Sequence, residues 1–585
     1  AALLAAGCLY CAAAAPAGAA RTVTSAPLAP ARATTATTPP DPNGLTTPAT
    51  QDRPPPGHVR SADQVEAAAR RVPRIAEMLR RHRGHTATVY MKGAERWQVS
   101  FFDPLRAGKP RKEIGQVLID DRTGAVLEAW TGHQVPWSMA RGYPGAFGRK
   151  ANAWYLWIPL CVLFVLPFVD PRRPFRLLHL DLLVLVGFSV SLAFFNHGEI
   201  GLSVPLAYPP LVYLLVRMLT TAFGRGAPSR PRRGPPRPIR LLVPATWLAV
   251  AIVFLLGFRW ALNVANSNVI DVGYAGVIGA DKLMDGTRLY GAFPSDNQHG
   301  DTYGPAVYYA YVPFEQALPW SGRWDDLPAA HAAAIFFDAL TALLLFLLGR
   351  RVRGPTLGIA LAYGWAAFPF TLYALNSNSN DALVAALVVL ALLVASHPVP
   401  RGAVTALAGL TKFAPLALGP LFATYREPGA DRSRVAEIAW FAAAAASTAA
   451  AVLLPAFLGA GFGVFWERTI EFQRERGSPF SVWGFREGYE TAQHVVQAGA
   501  VVLALVVALV PRRRDVVTLA ALAAAVLVAV QLGVTHWFYL YVVWFLPPVL
   551  LALLGRDLVG RDEATPAAAQ PAAARSSPPV AAPTP

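Results

Sequence analysis

Charged residues are scarce in this sequence: Asp, Glu, Lys and Arg make up 15% of its 585 residues, whereas hydrophobic residues make up 54%. An ordinary soluble domain has about 25% charged residues. The apolar residues also fall in long uninterrupted blocks, and about 20 apolar residues are what a helix needs to cross a bilayer. The composition therefore excludes an ordinary soluble protein and predicts a polytopic α-helical membrane protein with appended segments.

Cysteine is also scarce, and its few positions carry no chemistry. The three residues, Cys8, Cys11 and Cys161, are too few for a disulfide framework, and Cys161 lies inside an apolar run. A structural zinc site takes about four Cys or His ligands at characteristic spacings, and the sequence has no such set. No metal and no cofactor are therefore expected.

Acidic residues are outnumbered by basic ones. Lys and Arg total 52 and Asp and Glu total 36, which gives a net charge of +16. In a soluble protein this excess would suggest nucleic acid as a partner. Here most of it lies in short segments between apolar blocks, where cytoplasmic Lys and Arg set the orientation of a membrane protein. Nucleic acid is therefore not an expected partner.

About eleven apolar windows are long enough to be candidate membrane spans. They lie near 153–169, 177–196, 201–222, 241–262, 329–349, 355–374, 382–397, 435–458, 495–511, 516–534 and 537–555. If the residues before the first window are outside, the arginine clusters after alternate windows all fall in the cytoplasm, as does the C-terminal tail. This orientation requires that 402–424 enter and leave on the same side, as a re-entrant helix broken around Lys412 and Pro415.

The segments outside the membrane body differ in composition. Residues 1–20 are small and apolar, as in a secretory signal. Residues 21–61 form a linker rich in Pro, Thr and Ala, and 562–585 form an Ala/Pro tail; both are predicted to be disordered. Residues 62–135 are predicted to fold as a small α+β extracytoplasmic domain.

The pattern of that domain changes from helical to alternating. Residues 62–83 have apolar positions at helical spacing, and alternating runs follow at 85–91, 97–102, 115–119 and 125–130. We expect one helix packed on three or four antiparallel strands. The run Val117-Leu-Ile-Asp-Asp-Arg-Thr-Gly-Ala-Val-Leu-Glu128 resembles the repeat of PepSY-type extracytoplasmic domains and contains no catalytic cluster, so a structural or regulatory module is expected.

Two long loops on the predicted outer side hold most of the polar residues that suit a binding site. They span about 263–328 and about 459–494, and loops are where binding residues usually lie. A short turn, Asn376-Ser-Asn-Ser-Asn-Asp381, is rich in hydrogen-bonding side chains. Asn376 and Asn378 are therefore candidates for a sugar site, with an ordinary polar turn as the alternative.

Several motifs in these loops resemble one group of enzymes. Asp271-Val-Gly-Tyr274, Asp285-Gly-Thr-Arg-Leu-Tyr290 and Tyr303-Gly-Pro-Ala-Val-Tyr308 lie in the first loop. Lys412-Phe-Ala-Pro415 and the stretch with Gln473, Arg476, Ser478, Pro479 and Trp483 follow later. The set looks like GT-C membrane glycosyltransferases, most closely the bacterial polyprenyl-phosphate-mannose-dependent mannosyltransferases of glycosyltransferase family 87. The resemblance covers about 241–556, the expected transferase body.

The front of the chain departs from the family's pattern. In the family the reactive loop usually follows the first span. Here an exported domain precedes it, and so do three additional spans with a basic cytoplasmic loop over 150–240. The resemblance implies a bacterial cytoplasmic (inner) membrane location, a GT-C-like fold and a lipid-linked sugar donor that is a substrate, not a cofactor. The expected acceptor is an envelope glycolipid, glycan or protein.

The resemblance also implies roles for individual residues. Asp271 matches the family's catalytic acidic residue, and a carboxylate at the membrane boundary suits a general base because partial desolvation raises its pKa. Asp281 and Asp285 are alternatives, although Asp285 heads a Gly-containing turn and is expected to cap locally.

Three cations are candidates for binding the donor phosphate: Lys412, Arg476 and His536. Each has a simpler explanation, as a snorkelling lysine, a solvated loop charge or an interfacial histidine. Gln473, Tyr303 and Trp483 are candidates for further substrate contacts, although interface belts also use Tyr and Trp. Asp338, inside a span, is expected to be a structural hydrogen-bond partner or a site residue.

The leading interpretation is an inverting glycosyltransferase that moves a sugar, with mannose expected, from a polyprenyl-phosphate donor at the outer membrane face. A transporter or lipid flippase is the alternative, because transporters often have broken helices and midplane charges. A non-catalytic sensor is a third possibility, and it would leave Asp271 without a role.

Overall fold

The computed structural model describes residues 44–104, 111–142, 147–224, 238–427, 429, 432–486, 488–511 and 514–559. The chain divides into two compact units, Ala1–Ala129 and Trp130–Pro585. The signal-like segment 1–20, most of the linker 21–61, most of the basic loop before residue 238 and the tail 562–585 lie outside the described residues.

The first unit is a sheet with two helices. Its five strands are neighbours in chain order: β1 (Leu45–Thr46), β2 (Thr86–Lys92), β3 (Arg96–Phe102), β4 (Glu113–Asp120) and β5 (Val126–Thr131). The pairs β1–β2, β2–β3 and β3–β4 are antiparallel. The helices are α1 (Ala62–Arg71) and α2 (Pro73–Arg81). The expectation of one helix was wrong because Pro73 forces Val72 into an extended conformation. The strand β1 was not predicted, since two residues carry no periodicity.

One buried carboxylate joins this sheet to the segment before α1. Asp121 is 1% exposed and accepts hydrogen bonds from the Trp97 indole nitrogen at 2.7 Å and from the backbone nitrogen of Val59 at 2.7 Å. Ser61 then caps α1 through a capping box with Gln64. These contacts fix the last residues of the linker, 59–61, against the domain.

The second unit is helical. Its helices are α3 (Trp154–Val165), α4 (Leu177–Asn196), α5 (Ile200–Leu206), α6 (Tyr208–Phe223), α7 (Ala245–Ala265), α8 (Asp271–Met284), α9 (Pro305–Ala317), α10 (Pro328–Arg353), α11 (Pro355–Ala367), α12 (Pro369–Asn376), α13 (Asp381–Leu393), α14 (Pro398–Thr411), α15 (Gly419–Ala423), α16 (Arg434–Ala460), α17 (Phe462–Trp466), α18 (Phe472–Glu475), α19 (Val482–Phe485), α20 (Glu490–Leu509), α21 (Val516–Gly533) and α22 (Val542–Leu554). Two short strands, β6 (Ile239–Arg240) and β7 (Leu558–Val559), pair in parallel.

Every one of the eleven apolar windows coincides with an apolar helix. Within the described residues, seven helices are long and apolar enough to cross a membrane, and α11 with α12 forms an eighth candidate bent by 58°. The other three windows, around α3, α13 and α22, contain apolar helices of 10–17 residues. The protein is a multi-pass membrane protein, and the figure of eleven crossings stays a prediction.

The predicted helix break is confirmed at Lys412. The helix α14 ends at Thr411, Lys412 has an extended backbone, and a 3₁₀ turn over Ala414–Leu418 leads into α15. Pro415 lies at the start of that turn, where its missing N–H costs nothing. The break leaves the Lys412 side chain facing the protein interior, and return of the chain to the same side stays a prediction.

Several buried charged groups inside the helical unit form ion pairs. Arg259 of α7 donates to both oxygens of Asp338 on α10, and Trp365 donates to the same carboxylate at 2.9 Å. Arg217 pairs with Asp181 at 2.8 Å. Pairing is what makes a buried charge tolerable in an apolar surrounding. Asp338 is therefore a structural partner and not a site residue.

Candidate active site

The N-terminus of α8 is fixed by the polar turn that follows α12. The backbone nitrogens of Asn268 and Ile270 donate to the carbonyl oxygens of Asn376 and Ser377 at 3.1 and 3.2 Å. A Cβ on Gly273 would lie 2.1 Å from the Asn378 oxygen, so only glycine permits this approach. The first residue of α8 is Asp271. The turn therefore sets the position of the Asp271 backbone.

A cavity of 710 Å³ is lined by five of the predicted site residues, Lys412, Arg476, His536, Gln473 and Tyr303; Asp271 is not among its lining residues. Its wall comes from the loop before α9, the break after α14, the π-helical turn and helix around 467–476, and the facing ends of α20, α21 and α22. Pockets of about 300–1,000 Å³ hold small-molecule ligands. The tertiary structure thus brings together residues more than 230 positions apart.

Lys412 enters the cavity already paired. Its Nζ lies 2.6 Å from Asp381 Oδ1, and the Trp544 indole nitrogen donates to the same oxygen at 2.8 Å. The ammonium group also lies 5.2–5.7 Å from the ring centres of Trp544, Tyr541 and Tyr303. These contacts offset the desolvation of a largely buried lysine. The pair carries little net charge.

Arg476 is held by aromatic rings and not by a carboxylate. Its guanidinium lies 5.8 Å from the ring centres of Trp137 and Phe472. Among the described residues it makes no ion pair, and the cavity therefore holds a guanidinium whose donors are available. A guanidinium suits a phosphate because it offers two parallel N–H donors.

Asp271 is coupled to both cations. Burial raises the pKa of its carboxyl above the usual value, while Arg476, a hydrogen bond from the Val272 backbone nitrogen and Lys412 each oppose that rise. The side chain is nevertheless exposed by accessible surface. An accessible side chain that is also desolvated by surrounding protein lies in a recess and not on the outer surface. This environment suits a carboxylate that accepts a proton.

His536 is not the cation that the sequence suggested. Burial, followed by the nearby charges of Arg476 and Lys412, lowers its pKa well below the usual value. Its ring is therefore neutral at pH 7, and the Ser478 hydroxyl oxygen lies 2.8 Å from Nδ1. A neutral imidazole contributes a hydrogen bond to a substrate but no charge.

Four other candidates are not among the residues that line this cavity, and their substrate contacts stay predictions. Asn376 and Asn378 are fully buried and bond to the backbone around Asn266 and Asn268. Asp281 lies ten residues along α8, where Asp285 and Glu315 are its acidic neighbours. Trp483 lines a separate cavity of 390 Å³ and donates to the Leu532 oxygen at 2.8 Å.

Sequence reasoning missed three residues that complete the site. Asp381 was read as the end of a polar turn, but it is the partner of Lys412. Trp544 was not singled out, and its indole nitrogen donates to Asp381. Trp137 lies before the first apolar window, yet its ring contacts Arg476, Phe480 and His536. Only the charge of Asp381 beside an apolar window gave a signal, because a carboxylate there needs a cation.

The two long polar loops are joined by an ion pair next to the cavity. Arg468, on a π-helical turn over Glu467–Glu471, lies 2.7 Å from Asp301, which is fully buried. Asp301 also accepts a hydrogen bond from the backbone nitrogen of Gly291 at 2.7 Å. The pair fixes the cavity wall around Gln473 and Arg476 relative to Tyr303.

Metal ligands are not grouped in this region. Within the described ranges, no set of three or more His, Cys, Asp or Glu side chains is placed to hold a metal ion.

The fold and site define a class of protein: a multi-pass membrane protein with a polar cavity between helix ends. Residues 302–535 match the model of Glycosyltransferase family 87, and the match indicates a membrane glycosyltransferase of GT-C-like type. The matched range contains Tyr303, Lys412 and Arg476 and begins after Asp271. No curated protein and no solved structure matches the chain.

Proposed function

We propose that this protein is an inverting glycosyltransferase that takes a sugar from a polyprenyl-phosphate donor. The observation that carries the proposal is the coupling of Asp271 to Arg476 and Lys412 beside one cavity. A transferase of this kind needs a base for the acceptor hydroxyl and cations for the departing phosphate; Arg476 and Lys412 line the cavity, and Asp271 lies within their electrostatic reach.

In the proposed reaction, an acceptor hydroxyl oxygen attacks the anomeric carbon of the donor sugar. The bond from that carbon to the phosphate oxygen breaks, and its electron pair leaves with the polyprenyl phosphate. The hydroxyl proton passes to the Asp271 carboxylate, whose raised pKa brings its basicity closer to neutral pH. The product is a glycoside of inverted configuration.

Arg476 is the main contact for the phosphate. Its guanidinium has no carboxylate partner among the described residues, whereas the charge of Lys412 is balanced by Asp381 at 2.6 Å. Charge that builds on the leaving phosphate is stabilised best by preorganised donors in a site that excludes bulk water. Lys412, paired with Asp381, then helps to form the cavity wall and stabilises the phosphate charge less strongly than Arg476 does.

The sugar, membrane and sidedness follow from the resemblance to family 87 and from the arginine distribution. We assign mannose as the sugar, an envelope glycolipid, glycan or protein as the acceptor, and the outer face of the bacterial cytoplasmic membrane as the location. The first unit is then extracytoplasmic, and membrane lipids surround the helices. A transporter or flippase is not favoured, because the family match indicates transfer chemistry.

The test uses full-length protein in lipid nanodiscs with labelled polyprenyl-phosphate mannose and an envelope-lipid extract. We expect a labelled product with wild-type protein and none with Asp271→Asn. Movement of the intact donor between leaflets without transfer of sugar would favour the transporter instead.

A further inference from the structure

Two glutamines on the cavity wall take no part in the mechanism above. Gln493 and Gln497 are four residues apart on α20, so their side chains share one face of that helix. Both line the 710 Å³ cavity. The helix α20 is apolar and long enough to cross a membrane, where polar side chains are costly and usually functional. The two amides therefore need an explanation.

The nitrogen atoms of both amides are held by one backbone carbonyl. Gln493 Nε2 donates to the Gly533 oxygen at 3.0 Å and to Thr535 Oγ1 at 2.8 Å. Gln497 Nε2 donates to the same Gly533 oxygen at 2.9 Å. Because the nitrogen side of each amide faces Gly533, each Oε1 is turned away from it. Neither Oε1 has a hydrogen-bond partner in the part of the chain described here; Gln497 is exposed, and Gln493 is largely buried.

Gly533 is required for this arrangement. A Cβ at that position would lie 2.9 Å from Gln497 Cγ, which is closer than packed side chains normally come. A nearby glutamine shows the contrast. Gln531 uses both ends of its amide, donating to the Tyr541 oxygen at 2.9 Å and accepting from the Trp537 nitrogen at 3.0 Å. Gln531 is therefore structural, whereas Gln493 and Gln497 keep their oxygen atoms available.

Two fixed amide oxygens accept hydrogen bonds and offer none. They match a ligand that presents O–H donors, as a sugar does, and they do not match phosphate oxygens, which are acceptors themselves. The cations Arg476 and Lys412 serve an anion in the same cavity. We propose that Gln493 and Gln497 form the subsite for the hydroxyl groups of a neutral, polyhydroxylated acceptor, the glycan part of the molecule that receives the sugar. This rests on the proposed function, since only a transferase needs an acceptor.

The first test measures Gln497→Leu, which keeps the size of the side chain and removes its polar atoms. Full-length protein in nanodiscs is assayed with polyprenyl-phosphate mannose as donor and octyl α-mannoside as acceptor. Loss of one hydrogen bond to a neutral hydroxyl should raise KM for octyl α-mannoside about tenfold. KM for the donor should stay within about twofold of wild type. Gln298→Leu, an exposed glutamine outside the cavity wall, is the matched control and should change neither constant.

A second variant changes the position of Gln497 without changing its chemistry. Gly533→Ala places a methyl group against Gln497 Cγ and should raise KM for octyl α-mannoside in the same direction. A rise in donor KM instead of acceptor KM in Gln497→Leu would overturn the assignment and give these oxygens to the donor sugar. Unchanged constants would also overturn it.

A labelling experiment keeps the inference separate from the proposed function. Gln497 is exposed, so Gln497→Cys should react with a hydrophilic maleimide. Octyl α-mannoside should slow that reaction and inorganic phosphate should not, with wild-type protein giving the background from native cysteines. If wild-type protein transfers no sugar, the proposed function fails, and protection by octyl α-mannoside still supports a polyhydroxyl site. Equal labelling with and without octyl α-mannoside would overturn the inference even if transfer is observed.

Discussion

The Lys412 ammonium lies 2.6 Å from the Asp381 carboxylate, and the two residues come from different helices, at the break after α14 and at the start of α13. Their pairing joins the turn that positions Asp271 to the wall of the cavity. Removing one partner would leave a buried charge uncompensated, which costs about 3–5 kcal/mol. We expect Asp381→Leu to lower the free energy of unfolding by that order, measured in detergent by denaturant titration.

The double variant Asp381→Leu/Lys412→Met provides the control for that pair. Because no charge is then left unpaired, it should be more stable than Asp381→Leu alone. A double variant that is less stable than either single variant would show that the two residues do not act as an ion pair.

Asp271→Asn should abolish transfer while keeping the fold. Loss of a general base typically lowers kcat by about 100- to 10,000-fold. Burial raises the pKa of Asp271 in the folded protein above its value in the unfolded chain. The folded protein is therefore destabilised when this carboxyl ionises, and stability is lost as the pH rises through the folded pKa. An uncharged amide should therefore leave the unfolding temperature at pH 7 unchanged or higher. Asp281→Asn, outside the cavity, is the control and should keep its kcat; near wild-type kcat in Asp271→Asn would exclude the base assignment.

The pH dependence of transfer should report the charge of Arg476. Activity needs ionised Asp271 and falls as pH drops through its pKa, which burial places above the ordinary aspartate value. Arg476 opposes that rise, so Arg476→Gln should move the acid limb of kcat/KM to higher pH. It should also raise donor KM by about 10- to 100-fold, because a charge-assisted hydrogen bond is lost. An acid limb that moves to lower pH would contradict the coupling.

Trp137 should affect the donor site although it lies outside the family-matched range. Its ring faces the Arg476 guanidinium at 5.8 Å, and His133, four residues earlier, donates a hydrogen bond from Nε2 to the Phe485 carbonyl oxygen at 3.1 Å. We expect Trp137→Leu to raise donor KM by about 2- to 5-fold, as loss of a cation–π contact of about 0.5–1 kcal/mol implies. Trp137→Phe retains an aromatic face, so its donor KM should lie between those of wild type and Trp137→Leu. A change in kcat with constant donor KM would point to another role.

Cysteine labelling should decide whether the broken helix returns to the same side. Val399 and Glu427 flank the segment and are exposed, whereas Arg401 is fully buried and would not report. Val399→Cys and Glu427→Cys should both react with an impermeant reagent only from the cytoplasmic side. Reaction from opposite sides would make the segment a full crossing and reverse every later loop. Arg53→Cys, exposed in the first unit, should react from the outside.

Much of this fold follows from local pattern. Long apolar windows locate the helices because each must satisfy its own backbone in a bilayer. Pro415 and Lys412 in one apolar stretch predicted the helix break. The alternating runs located strands β2 to β5, but the helix before them was predicted as one piece because apolar spacing continues across Pro73. The candidates Asp271, Lys412 and Arg476 came from chemistry and family resemblance, and their roles stay predictions.

The sequence alone determined that this chain is a membrane protein with polar loops that contain a candidate carboxylate, Asp271, since composition and periodicity act locally. Only the tertiary structure decided which polar groups meet. It paired Lys412 with Asp381, lowered the pKa of His536 by burial and placed Gln493 and Gln497 on the cavity wall with their amide nitrogens held by Gly533. Pairing and desolvation depend on neighbours hundreds of residues away, and no local pattern encodes those neighbours.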